Sequence, residues 1–159
     1  MTIADAKRNI INLVSQTNSV IPEKLESNLK PLDGDPDIPA WHKFEIEVWN
    51  FGEDIRQILK QYKPLRKDTY LLDLFLAICL NRNSKRGRQS FLKLFEFKHC
   101  EIYAKQIITQ IDDHFVEGHV IRCLNKMQAG GFSALIRKFT THNVTWIRND
   151  ANKYAEKHS

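Results

Sequence analysis

Val116-Glu117-Gly118-His119-Val120-Ile121-Arg122-Cys123-Leu124 and, thirty-one residues later, Ile147-Arg148-Asn149-Asp150-Ala151-Asn152-Lys153-Tyr154-Ala155 decide how this chain reads. In each stretch an apolar or small residue returns at every fourth position, Val116, Val120 and Leu124 in one and Ile147, Ala151 and Ala155 in the other. Such spacing lays a stripe along one face of an α-helix. Thirty residues before the first stretch, Arg86, Ser90 and Leu94 hold the matching places, with a basic residue where the others are apolar. Each stretch follows another helical segment. The pattern therefore predicts three helix pairs over residues 69–157, namely 70–80 with 85–97, 99–111 with 115–127, and 131–140 with 144–154.

The second helices resemble those of short HEAT-like repeats, in which an apolar and a basic residue open the helix and a small residue follows at the fourth position. Ile147-Arg148-Asn149-Asp150-Ala151 carries the resemblance, with Gly130-Gly131-Phe132-Ser133-Ala134-Leu135-Ile136 as its first helix and Thr141-His142-Asn143 as the turn. A small residue facing the partner helix permits close approach, and stacked neighbours bury faces that one pair alone leaves wet. The resemblance implies an all-α fold of antiparallel helix pairs stacked as a short HEAT-like solenoid. An irregular bundle of antiparallel helices gives a similar period.

Upstream of the repeat, residues 1–68 read as N-terminal helices. Ile3, Ile10, Leu13, Val14 and Thr17 make one stripe over residues 3–20, and Pro22 is placed to open a short helix through Leu29. Residues 31–39, Pro31-Leu32-Asp33-Gly34-Asp35-Pro36-Asp37-Ile38-Pro39, are dense in turn formers and acid, which predicts a long loop. From Trp41 to Tyr62 the spacing is again helical, with Gly52 read as a break and Trp41 and Trp49 either buried in the stripe or exposed as interface anchors. With 159 residues and 42% hydrophobic composition, the chain is expected to form a single domain, 1–159.

The first residues lack a signal-peptide core, and the longest apolar run, Leu71 to Leu80, contains Asp73 and falls short of the roughly 20 residues that span a bilayer. No membrane association is expected. Three cysteines, Cys79, Cys100 and Cys123, form no CxxC pair and suit a reducing cytoplasm, as small buried hydrophobes. The net charge of +5 is uneven: residues 69–99 hold six basic and two acidic residues, and residues 131–159 hold five and two.

Catalytic groups do not assemble in the sequence. His119 and Cys123 lie four apart on one helix face, but zinc takes four ligands and no second pair has metal spacing. Asp112, Asp113, His114 and Glu117 suit a helix start, where acids complement exposed amides and the helix dipole. Glu45 and Glu47 fall on different faces and read as solvated surface. GxSxG, phosphate-cradling glycine loops and HExxH are missing, so neither an enzyme nor a cofactor is expected.

Basic residues carry what remains. Arg82, Lys85, Arg86 and Arg88 cluster before a second helix, and Arg122, Lys126, Arg148 and Lys153 lie on later ones. Together they are the candidate partner-binding strip, with Asp33, Asp35 and Asp37 as an alternative acidic edge. Helical-repeat stacks present extended surfaces to proteins, so the expected function is that of a cytoplasmic protein-binding module. In size, architecture and lack of a catalytic site the chain is similar to bacterial immunity proteins of contact-dependent growth inhibition, which implies an inhibitor that binds and neutralises a cognate toxin. Two alternatives stand beside it: a helical-repeat protein that grips nucleic-acid phosphates with the basic strip, and a scaffold or adaptor subunit. Phe91, Phe95, Phe132 and Phe139 fall at core spacing, not at positions suited to base stacking.

Overall fold

A computed structural model describes residues 1–25 and 41–158. The described residues form eight α-helices and short 3₁₀ segments, with no strand among them. The chain divides into two compact units, Met1–Leu94 and Phe95–Ser159.

In the first unit, α1 (Ile3–Val20) begins at a reciprocal cap. Thr2 Oγ1 accepts from the Asp5 amide and the Asp5 carboxylate accepts from the Thr2 amide, both at 3.1 Å. The helix buries Ala6, Ile10, Val14 and Thr17, while Ile3 at the end of the expected stripe is exposed. Residues 22–25 are not helical, and the rest of the helix expected after Pro22 lies outside the described residues, as does the acidic loop.

Helix α2 (Lys43–Gln61) runs unbroken through Gly52, where the sequence predicts a break. The glycine serves a crossing. A Cβ on Gly52 would stand 2.0 Å from Ser90 Oγ and 2.8 Å from Ser90 Cβ. Only hydrogen at position 52 lets α4 (Gln89–Leu92) lie against α2. Val48, Ile55 and Leu59 are buried on that helix, whereas Trp41 and Trp49 are half-buried. The Lys93 ammonium sits 5.1 Å from the Trp49 ring centroid and pairs with Glu53 at 3.2 Å.

Asp68 caps α3 (Thr69–Cys79) by accepting from the Leu71 amide at 3.1 Å, and pairs with Lys7 at 2.7 Å. Burial pushes the Asp68 carboxyl upward, but these bonds outweigh it and hold the group below the usual carboxylate range. The apolar run of α3 buries Leu71, Leu72, Phe75, Leu76, Ile78 and Cys79, as its composition predicts.

The helix expected over residues 85–97 is broken into pieces. Residues Arg82–Arg88 form a 3₁₀ stretch interrupted at Lys85, whose φ of 47° and ψ of −127° no residue with a side chain adopts without strain. Three anchors hold that turn. The carboxylate of Glu45, fully buried on α2 and not on the surface as expected, accepts from the His42 amide at 2.7 Å and from the Arg86 amide at 2.9 Å. Gly87 packs so closely that a Cβ there would fall 2.7 Å from the Glu45 carbonyl oxygen. Arg88, fully buried, donates to the carbonyls of Cys79 at 3.0 Å and Lys85 at 3.3 Å.

The second unit opens with short segments in place of the single helix expected over 99–111: 3₁₀ Lys98–Tyr103, α5 (Ala104–Ile107) and 3₁₀ Ile108–Gln110. Their apolar residues, Cys100, Tyr103, Ile107 and Ile108 among them, are buried. Helix α6 (Glu117–Met127) follows, then α7 (Ser133–Ile136) with 3₁₀ Arg137–Thr141, and α8 (Thr145–His158). Val116, Val120, Leu124, Ile147 and Ala151 of the ladder are buried, and Ala155 is half-buried. Helix α8 meets α6 at Gly118, where a Cβ would lie 2.4 Å from the Trp146 ring and 2.6 Å from Ile147 Cγ1. The buried Tyr154 hydroxyl ties the turn before α7, donating to the Ala129 carbonyl at 2.7 Å and accepting from the Phe132 amide at 3.2 Å.

Because Gly52 and Ser90 share one crossing point, a substitution on either side can be compensated on the other. Gly52→Ala gains helix propensity yet is expected to destabilise the protein by about 1–3 kcal/mol through overpacking. Adding Ser90→Gly should recover most of the loss in urea unfolding, and equal stability of G52A and the unsubstituted protein would contradict the crossing.

Candidate functional site

The eight basic residues expected to form one strip fall four to each unit, and they have different tasks. Arg82 is exposed, and Lys85 and Arg86 are half-buried in the anchored turn. Arg88 is withdrawn from any surface role: its guanidinium is fully buried and donates to the backbone carbonyls of Cys79 and Lys85. Arg148 is also a structural strut, donating to the His142 carbonyl at 2.8 Å and to Thr145 Oγ1 at 3.3 Å, and so fastening the turn into α8. The acidic edge Asp33, Asp35 and Asp37 lies outside the described residues.

The remaining three converge. Arg122 and Lys126 on α6 and Lys153 on α8 line one open groove of about 380 Å³, together with Glu96, Asn125 and Asp150. The sequence places them there simply: residues 122 and 126 are one turn apart, 150 and 153 likewise, and the ladder packs α6 against α8. Within the groove Arg122 Nε donates to Asp150 Oδ2 at 2.8 Å, and its guanidinium carbon lies 4.6 Å from the centroid of Trp146. His119 stands edge-on to the same indole at 5.3 Å. Asn125 Nδ2 donates to the Asp150 carbonyl at 2.9 Å, while Asn125 Oδ1 is enclosed without a hydrogen-bond partner.

Charge in the groove is thus unequally compensated. Arg122 and Asp150 neutralise each other across the two helices, and with Glu96 against the two lysines the lining keeps a net charge of +1. Lys126 and Lys153 are both exposed, and neither has an ion pair or hydrogen bond among the described residues. Two ammonium groups, one from each helix, therefore face solvent at the groove. The lining is polar, which suits a charged ligand and not an apolar one.

One close pair escaped the sequence reading. His142 Nε2 lies 2.7 Å from Glu117 Oε1, and His142 Nδ1 accepts from the Val144 amide at 2.9 Å. The ring therefore presents its Nε2 proton to the carboxylate. In the sequence Glu117 reads only as a helix-start acid; a separation of 25 residues gives no local signal for the pairing. The contact joins the start of α6 to the turn before α8 and has no nucleophile beside it in the described hydrogen bonds.

The thiols are shielded from solvent. Cys79, Cys100 and Cys123 are all fully buried. Burial raises the Cys100 thiol to about 11 and carries that of Cys79 further upward. Because the thiolate is the nucleophile, none of the three is a candidate for covalent chemistry. Among the described residues no group of three or more His, Cys, Asp or Glu side chains could hold a metal ion, and no helix is long and apolar enough to cross a membrane. Native protein at pH 8 should leave all three thiols unreacted with an aromatic disulfide reagent over minutes, and unfolding should release them together. Rapid reaction of one thiol in the native state would contradict this burial.

Comparison with protein-family models, with curated proteins and with solved structures finds no significant match, so the groove is interpreted from its own chemistry.

Proposed function

We propose that this protein acts by surface recognition, binding another protein through the groove between α6 and α8, and that its partner is a bacterial toxin domain which it neutralises as an immunity protein. One observation carries the reading. Lys126 and Lys153 stand exposed and without ion pairs at a groove whose other basic side chain, Arg122, is already matched to Asp150, so that with Glu96 the lining keeps a net positive charge. Uncompensated charge at a preformed groove raises encounter rates with a partner of opposite sign and disfavours partners of like sign.

In this reading the α6–α8 pair of the second unit is a HEAT-like helix pair that supplies the platform, and the protein works in the cytoplasm of the cell it protects. The inhibitor covers the toxin's working surface or holds it in an inactive conformation. Its own chemistry is confined to non-covalent contact, which matches the burial of its thiols.

Genetic context supplies the partner to test. A toxin-like product encoded beside this gene is expected to arrest growth when expressed alone, and co-expression of this protein should restore growth and yield a stable complex. The double variant K126E/K153E should weaken that complex by about tenfold or more, with the wild-type affinity falling as salt rises. Full rescue and unchanged affinity in the variant would contradict the groove as the docking point. Salt-sensitive binding of random duplex or single-stranded oligonucleotides by the wild-type protein, lost in K126E/K153E, would instead favour nucleic-acid recognition.

A further inference from the structure

The proposed recognition site also specifies the chemistry of what enters it. We infer that the groove between α6 and α8 takes an acidic segment of the partner protein, two carboxylates of which pair with Lys126 and Lys153. The inference rests on the reading of the groove as a protein-docking site.

The charge balance comes first. With Arg122 and Asp150 paired at 2.8 Å, Lys126 and Lys153 against Glu96 leave the groove lining with a net charge of +1, and neither lysine has an ion pair among the described residues. These two lysines project from different helices, Lys126 from the last turn of α6 and Lys153 from the middle of α8. A ligand that satisfies both carries two separate negative groups. A volume of about 380 Å³ is near the lower end of the roughly 300–1,000 Å³ that ligand-holding clefts occupy, enough for a short stretch of side chains.

The placement of the two ammonium groups favours a strand over a compact anion. They stand on separate helices, and an extended peptide brings carboxylates at different positions along its length, whereas inorganic phosphate brings its charge to one point.

Arg122 has a different part. Its Nε is committed to Asp150 and its guanidinium lies against Trp146, so it stiffens the groove wall and keeps Asp150 from competing with the incoming carboxylates for the lysines. Asp150→Asn removes that competitor and frees Arg122. Acidic ligands should then bind as tightly as before or tighter.

The test titrates the intact protein with capped decapeptides that carry two aspartates separated by one to four residues. The same peptides with asparagine, inorganic phosphate and a ten-nucleotide thymidine oligomer serve as comparisons, and amide NMR shifts report the location. At low salt at least one aspartate spacing should bind about tenfold more tightly than its asparagine counterpart and shift Asn125 and its α8 neighbours. K126E/K153E should lose that preference and bind the corresponding dilysine peptide instead. Equal binding of aspartate and asparagine peptides, shifts confined to other surfaces, or tighter groove binding by phosphate or the oligonucleotide would overturn the inference. Loss of toxin rescue in K126E/K153E without any aspartate-peptide binding would keep the docking site and reject its acidic ligand. Peptide binding with rescue unchanged would keep the ligand chemistry and reject the role of the groove in neutralisation.

Discussion

A carboxylate sealed inside the first unit sets the course of the chain around it. Glu45 has no exposed surface, and its two oxygens receive the amides of His42 and Arg86, one at the start of its own helix and one forty-one residues away. Burying a charge is costly unless hydrogen bonds replace its hydration, and charge-assisted bonds from backbone amides are among the stronger replacements. The Arg86 amide fixes the basic turn on α2. From there Gly87 lies flat on the Glu45 carbonyl, Arg88 turns inward to the carbonyls of Cys79 and Lys85, and Ser90 arrives opposite Gly52. Lys85 bears the strain of this path, a positive φ maintained because the residues on both sides are held.

The second unit solves the same packing problem without a buried charge. Its ladder of Val116, Val120 and Leu124 against Ile147 and Ala151 is apolar or small throughout, and Gly118 gives α8 room at the Trp146 end. Polar groups there act at the turns: Tyr154 before α7, Arg148 and His142 before α8. That division leaves the outward faces of α6 and α8 free to carry Arg122, Lys126, Asp150 and Lys153. A rigid interior with its charges directed outward is the arrangement a recognition surface needs.

Local signals in the sequence survive best. The bounds of α1 agree with its stripe and cap, α3 agrees with its apolar run, and the four-residue ladder marks buried positions in both units. What the sequence conceals depends on residues far apart along the chain. Gly52 reads as a helix break because its reason, Ser90, lies thirty-eight residues away. Glu45 and Arg88 read as surface charges because nothing local discloses the carbonyls and amides that satisfy them. Of the eight basic residues, charge counting alone could not separate the struts Arg88 and Arg148 from the groove residues Arg122, Lys126 and Lys153, since all have the same formal charge. The segments around residues 85–97 and 99–111 were read as single helices because apolar spacing does not register a strained turn or a change to 3₁₀ winding.

The dependence of the fold on Glu45 is most directly measured by replacing it with its neutral isostere, Glu45→Gln, and following both urea unfolding and the exchange rate of the Arg86 amide. Glutamine keeps the shape but sets an NH₂ group against one of the two amides. The account predicts a loss of about 1–3 kcal/mol together with faster exchange at Arg86. Unchanged stability with the Arg86 amide as protected as before would contradict it.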